Sequence, residues 1–336
     1  MDEEAELPSA EGPNETYWRL PLALAAALAA EPTTPFGVRI RACAELVLHG
    51  RLADAEPSLR QLEARPGFAV RARQLRALGR YAERAIEGLD FAGARPADGG
   101  WETLDGGAPG ASTEASGALL WLRPGTSRVV LAFSTLRGNF GMLKGWGSVF
   151  LVHRFLAAFP VNIVYLRDET ACLSLAGNRA FGEDYGACVA GIRALCEARG
   201  WRDAWALGLS SGGFPALRYG LDLGLRGVLS FSGPTDLTPG PGLAKRHPDE
   251  RALAEKAPHM AVDLLPLMRA AARRPRMLLC YGEGNAYDAA QAQRFAGLAE
   301  TELVPFAGFA GHSTFMEAGR LGQLRALTAR LIETAR

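Results

Sequence analysis

The sequence predicts an α/β protein: a mostly parallel sheet with helices on both faces, plus an N-terminal all-helical domain. From about residue 118 onward, short continuous apolar runs alternate with amphipathic runs, which is the texture of strands buried on both faces between helices. Ahead of them, residues 17–88 carry helical periodicity only. The chain has 336 residues and is 48% hydrophobic. It can bury a large core, and its length suggests about two domains.

In chain order, residues 1–16 are acidic and polar and read as a flexible tail. In 17–88, Val38, Ile40, Ala42, Leu46 and Val47 mark one helix, broken at His49-Gly50. Leu52, Ala55, Leu59 and Leu62 mark a second, ending near Pro66-Gly67. Val70, Leu75, Leu78, Ala82 and Ile86 mark a third. The texture is tetratricopeptide-like, without a repeat of fixed period, and a helical cap packed on the next domain is the alternative. Residues 89–117 are rich in glycine, proline and small polar residues, as expected of a linker or of a loose first hairpin. The α/β domain is expected over 118–336. Strands are expected at 118–122, 128–134, 161–166, 205–209, 227–232, 277–281 and 302–306. Helices are expected at 147–159, 183–199, 286–299 and 314–334, and a lid-like insertion at 234–274.

Charge and cysteine usage exclude several function classes. With 37 basic and 36 acidic side chains the net charge is +1, so neither nucleic acid nor an anionic membrane is suggested as a partner. The apolar run from Leu20 to Ala30 is too short for a membrane span, and the acidic start Met1-Asp-Glu-Glu is unlike a signal peptide. Five cysteines, none in a Cys-x-x-Cys pair, fit reduced and mostly buried thiols in a cytoplasmic protein.

The chemistry centres on Gly208-Leu-Ser-Ser-Gly212, a Gly-x-Ser-x-Gly pattern between an expected strand and an expected helix. So sharp a turn forces its central residue, Ser210, into a strained backbone and demands small residues on either side. It lifts the serine oxygen above the sheet at a helix N-terminus, where the N–H of Ser211 can face a developing oxyanion.

From residue 118 on, the chain resembles an α/β-hydrolase. The resemblance is carried by "GLSSGGFPALRYG", "YGEGNAYDAAQAQRFA" and "GFAGHSTFMEAGRL". Together with "YLRD" after one strand, these stretches also resemble bacterial hydrolase-like domains linked to surface-polysaccharide or glycoprotein export. The fold implies the chain order Ser, acid, His. Of the histidines after Ser210, only His312 follows the penultimate strand; His247 and His259 fall in the insertion, while His49 and His153 lie in helical runs. The acid is expected three residues after the glycine of the Tyr281-Gly282 turn, where Asn285 stands. That leaves Asp288, Glu283 and Asp236, with Asp288 preferred and a helix cap as its alternative role. The second oxyanion donor is expected after the 128–134 strand, from the N–H of Thr135 or Leu136, with Arg137 or Asn139 as further lining.

The resulting expectation is a serine hydrolase (esterase or thioesterase) acting through an acyl-enzyme on Ser210. His312 is the base, Asp288 the orienter, and Ser211 with Thr135 or Leu136 the oxyanion hole. The alternatives are an acyltransferase using the same site, or a catalytically weak hydrolase-like binding module. No metal or organic cofactor is implied. The expected partners are a small-molecule or carrier-bound acyl substrate and, through the N-terminal helices, a protein.

Overall fold

The computed structural model describes residues 22–48, 51–69, 72–73, 75–76, 100–104, 117–133, 152, 156, 159–166, 168, 170, 172–238 and 253–332. Three N-terminal helices come first: α1 (Leu22–Ala30), α2 (Phe36–Leu48) and α3 (Leu52–Glu63). They pack through Ala29, Leu46, Ala55 and Leu59, all fully buried. The expected breaks near residues 49 and 66 fall where α2 and α3 end. Most of the third expected helix, and of the 147–159 helix, lies outside the described residues.

The strands are β1 (Gly100–Thr103), β2 (Ala118–Leu122), β3 (Arg128–Phe133), β4 (Asn162–Leu166), β5 (Asp203–Leu209), β6 (Gly227–Phe231), β7 (Arg276–Gly282) and β8 (Thr301–Phe306). They form one sheet in the order β1-β2-β4-β3-β5-β6-β7-β8. Pairing is antiparallel from β1 through β2 to β4 and parallel from β4 to β8. β1 comes from the stretch read as a linker or a loose hairpin, so 89–117 contributes an edge strand. Its signal, Trp101 and Thr103 around Glu102, is short and is diluted by neighbouring glycines.

Alternation along the strands divides the core in two. Val130, Ile163, Leu207, Leu229 and Leu278 face one side and Leu131, Val164, Ala206, Val228 and Leu279 the other. The second side is covered by α4 (Tyr185–Ala198), α5 (Gly213–Asp222), α6 (Leu264–Ala270) and α7 (Ala286–Gln293). The first is covered by α8 (Thr314–Arg320) and α9 (Leu324–Ile332). Buried residues of α1–α3 belong to the same apolar cluster as the first side. A mostly parallel sheet, helices on both faces and a sharp serine turn after β5 constitute the α/β-hydrolase fold, here with helices ahead of it.

Two helices are shorter than the periodicity suggests. The 286–299 helix stops at Gln293, and the 314–334 helix divides into α8 and α9. Gly297 (φ 87°) and Gly322 (φ 68°) are left-handed there. The Gln323 N–H returns to the Ala318 carbonyl at 2.7 Å, closing α8 before α9 begins.

Candidate active site

The strand order reverses beside β3, which lies between β4 and β5, and such reversals open a crevice at the carboxyl ends of the strands. Ser210 stands at that level, directly after β5. Its φ is 51°, a left-handed value that costs a non-glycine residue about 1–3 kcal/mol. The turn is held by the Gly213 N–H donating to the Ser210 carbonyl, after which α5 begins. A Cβ at Gly208 would lie 2.1 Å from the Gly212 carbonyl oxygen, which is why only glycine fits two positions before the serine. A Cβ at Gly213 would lie 2.6 Å from the Gly233 Cα, so the start of α5 also rests directly on the chain leaving β6.

His312 arrives on the loop between β8 and α8. Its Nε2 is 2.6 Å from Ser210 Oγ, and its Nδ1 is 2.9 Å from Asp288 Oδ2 and 3.0 Å from Oδ1. An ionised carboxylate only accepts hydrogen bonds. With Asp288 ionised, Nδ1 therefore carries the proton and Nε2 is left to accept from the serine hydroxyl. The Asp288 side chain is 1% exposed and the His312 ring 48% exposed. The acid is thus sealed behind the imidazole, while the imidazole edge and the half-buried Ser210 remain open to solvent.

Asp288 sits in the first turn of α7, and the helix cap is Asn285. The Asn285 side chain accepts the Asp288 N–H at 3.1 Å, which leaves the Asp288 carboxylate available to the imidazole. The loops leading to Asp288 and to His312 are laced together by the Gly284 N–H to the Phe309 carbonyl at 3.0 Å and the Glu283 N–H to the Phe306 carbonyl at 3.2 Å. From the other side, Gln291 Oε1 accepts the Thr235 and Asp236 N–H groups, tying α7 to the chain after β6.

Glu283 is exposed, and its carboxylate accepts from the Gly308 N–H. Asp236 accepts from the Thr238 N–H and hydroxyl and pairs with Arg294 at 3.4 Å, a turn-closing role. Ser211 is buried immediately after Ser210. Thr135, Leu136, Arg137 and Asn139 lie outside the described residues, as do His49, His153 and His247. His259 is exposed in a short 3-10 turn. Asp168 of the "YLRD" stretch closes the turn after β4 by accepting the N–H groups of Cys172 and Leu173. Two residues that sequence reasoning missed are Ser232 and Thr314, whose hydroxyl oxygens are 2.8 Å apart beneath the His312 loop. Thr314 adjoins His312 in "GHST", but nothing local links it to a serine 82 residues away.

Among the described residues, no group of three or more His, Cys, Asp or Glu side chains is arranged to hold a metal ion. No described helix is long and apolar enough to cross a membrane.

No protein-family model matches the chain, and no curated protein matches it in sequence. Solved structures do resemble it in shape. An α/β-hydrolase enzyme from a sediment metagenome of the Mar Chica lagoon, Morocco, is 13% identical with a TM-score of 0.42, over 63% of this chain and 94% of that one. A phosphonate-inhibited esterase B from Lactobacillus rhamnosis is 14% identical with a TM-score of 0.45, over 78% and 94%. The capsule O-acetyltransferase of Neisseria meningitidis serogroup A is 11% identical with a TM-score of 0.44, over 63% and 92%.

Proposed function

We propose that the chain is a serine hydrolase that cleaves an ester or thioester through an acyl-enzyme on Ser210. The observation that carries this reading is the hydrogen-bonded line from Ser210 Oγ through His312 to Asp288, beginning at a left-handed serine. His312 Nε2 takes the hydroxyl proton while Oγ bonds to the acyl carbon. The negative charge on the carbonyl oxygen is met by the N–H of Ser211 and by that of Thr135 or Leu136. His312 then gives its proton to the leaving oxygen or sulfur as the old bond breaks. A water, deprotonated by His312, attacks the ester; the carboxylic acid departs and Ser210 recovers its proton. Asp288 keeps Nδ1 protonated and stabilises the imidazolium formed in each half-reaction. No step draws on a metal or organic cofactor.

Turnover of p-nitrophenyl esters and acyl thioesters of rising chain length tests the reading. Hydrolysis that disappears in a folded Ser210→Ala variant supports it. Equal turnover by wild type and variant overturns it. Transfer to an added alcohol, amine or thiol in preference to water would make the enzyme an acyltransferase. A folded protein inert to the whole panel would favour the binding module.

A further inference from the structure

Ser210 has a neighbour in an unusual state. Leu209 pairs with Phe231 across β5 and β6, so the next residues, Ser210 and Ser232, lie side by side at the ends of adjacent strands. Both have φ of 51°. A left-handed non-glycine residue persists only where its surroundings fix it. For Ser232 those surroundings are visible. Its N–H donates to the Cys280 carbonyl at 2.8 Å, and its hydroxyl meets Thr314 Oγ1 at 2.8 Å. Both side chains are buried, Ser232 at 4% and Thr314 at 1% exposure. Thr314 is the first residue of α8, and its N–H donates to the His312 carbonyl at 2.9 Å.

We propose that Ser232 and Thr314 are positioning residues, whose buried hydroxyl–hydroxyl bond fixes the 312–314 segment so that His312 Nε2 meets Ser210 Oγ. The two serines hold the loop at two points: Ser210 engages the His312 ring, and Ser232 clamps the chain two residues further on. About half of the His312 side chain is exposed, so packing alone does not fix its position, and a displacement of about 1 Å at a catalytic base can cost roughly a hundredfold in rate. The left-handed turn at Ser232 aims its hydroxyl at Thr314, as the same turn aims Ser210 at the histidine. This inference rests on the serine-hydrolase reading.

The test is steady-state hydrolysis of p-nitrophenyl acetate by Thr314→Val, Ser232→Ala, the double variant and Thr314→Ser, with rates expressed per folded molecule. The Val and Ala variants should lose roughly ten- to a hundredfold in kcat with KM nearly unchanged, because the base is misplaced and the binding surface is not. The double variant should lose no more than the worse single one, since both remove the same bond. Thr314→Ser keeps the hydroxyl and should retain most of kcat. A lower melting temperature with kcat per folded molecule unchanged would overturn the proposal and leave a structural bond only. If Ser210→Ala and His312→Ala themselves leave turnover intact, the hydrolase reading falls and this inference falls with it.

Discussion

Ser210 and Ser232 follow neighbouring strands with the same left-handed φ of 51°, and they differ in what their hydroxyls reach. Ser210 is half-buried and meets an imidazole that is itself backed by a buried carboxylate. Ser232 is buried and meets the hydroxyl of Thr314. Strain at a strand end therefore does not by itself separate the proposed nucleophile from the proposed clamp. What distinguishes them is access to solvent and a partner able to take a proton.

The largest effect is expected from removing the carboxylate behind His312. Asp288→Asn should keep the fold, because Asn285 and not Asp288 caps α7. It should lower turnover by roughly ten-thousand-fold through loss of the tautomer that suits His312. Asp236→Asn and Glu283→Gln should cost far less, since neither contacts His312 in the hydrogen-bond network. The pH–rate profile should rise with one ionisation, because His312 must be neutral to act as base.

A smaller effect tests how closely the two serine turns lean on each other. Gly213→Ala would put a methyl 2.3 Å from Ser230 Oγ and 2.6 Å from the Gly233 backbone. It should lower stability by about 1–3 kcal/mol, read from denaturant midpoints. An unchanged midpoint would mean that the two strand ends yield independently.

The smallest effect separates nucleophilic chemistry from buried thiols. Burial pushes the Cys43 thiol up to about 12 and that of Cys196 to about 11. Both stay protonated at pH 8, so the native protein should react with a disulfide reagent far more slowly than the unfolded chain does. Above the unfolded thiol value of about 8.5, the folded state holds more protons, so stability should fall as pH rises towards 11 or 12.

Much of the sheet and the serine turn were legible because each is local: an apolar run, a glycine pair, a serine between strand and helix. His312 and Asp288 were narrowed by their order along the chain. The role of Asn285 was not legible, because choosing between cap and acid depends on which side chain turns back to the helix N-terminus and which turns to the imidazole. Ser232 and Thr314 were invisible for the same reason, being unremarkable residues far apart in sequence that meet only when β6 and α8 are placed. The short strand β1 was hidden by composition, since glycine around Trp101 reads as a connection until β2 pairs with it.

Acylation of Ser210 is the step on which the proposed chemistry depends. Its most direct measurement is covalent trapping with a fluorophosphonate, followed by intact-mass and peptide analysis. One adduct per molecule is expected, on Ser210, absent in Ser210→Ala and strongly slowed in His312→Ala. An adduct on Ser211 or elsewhere, or no adduct on the folded protein, would contradict it.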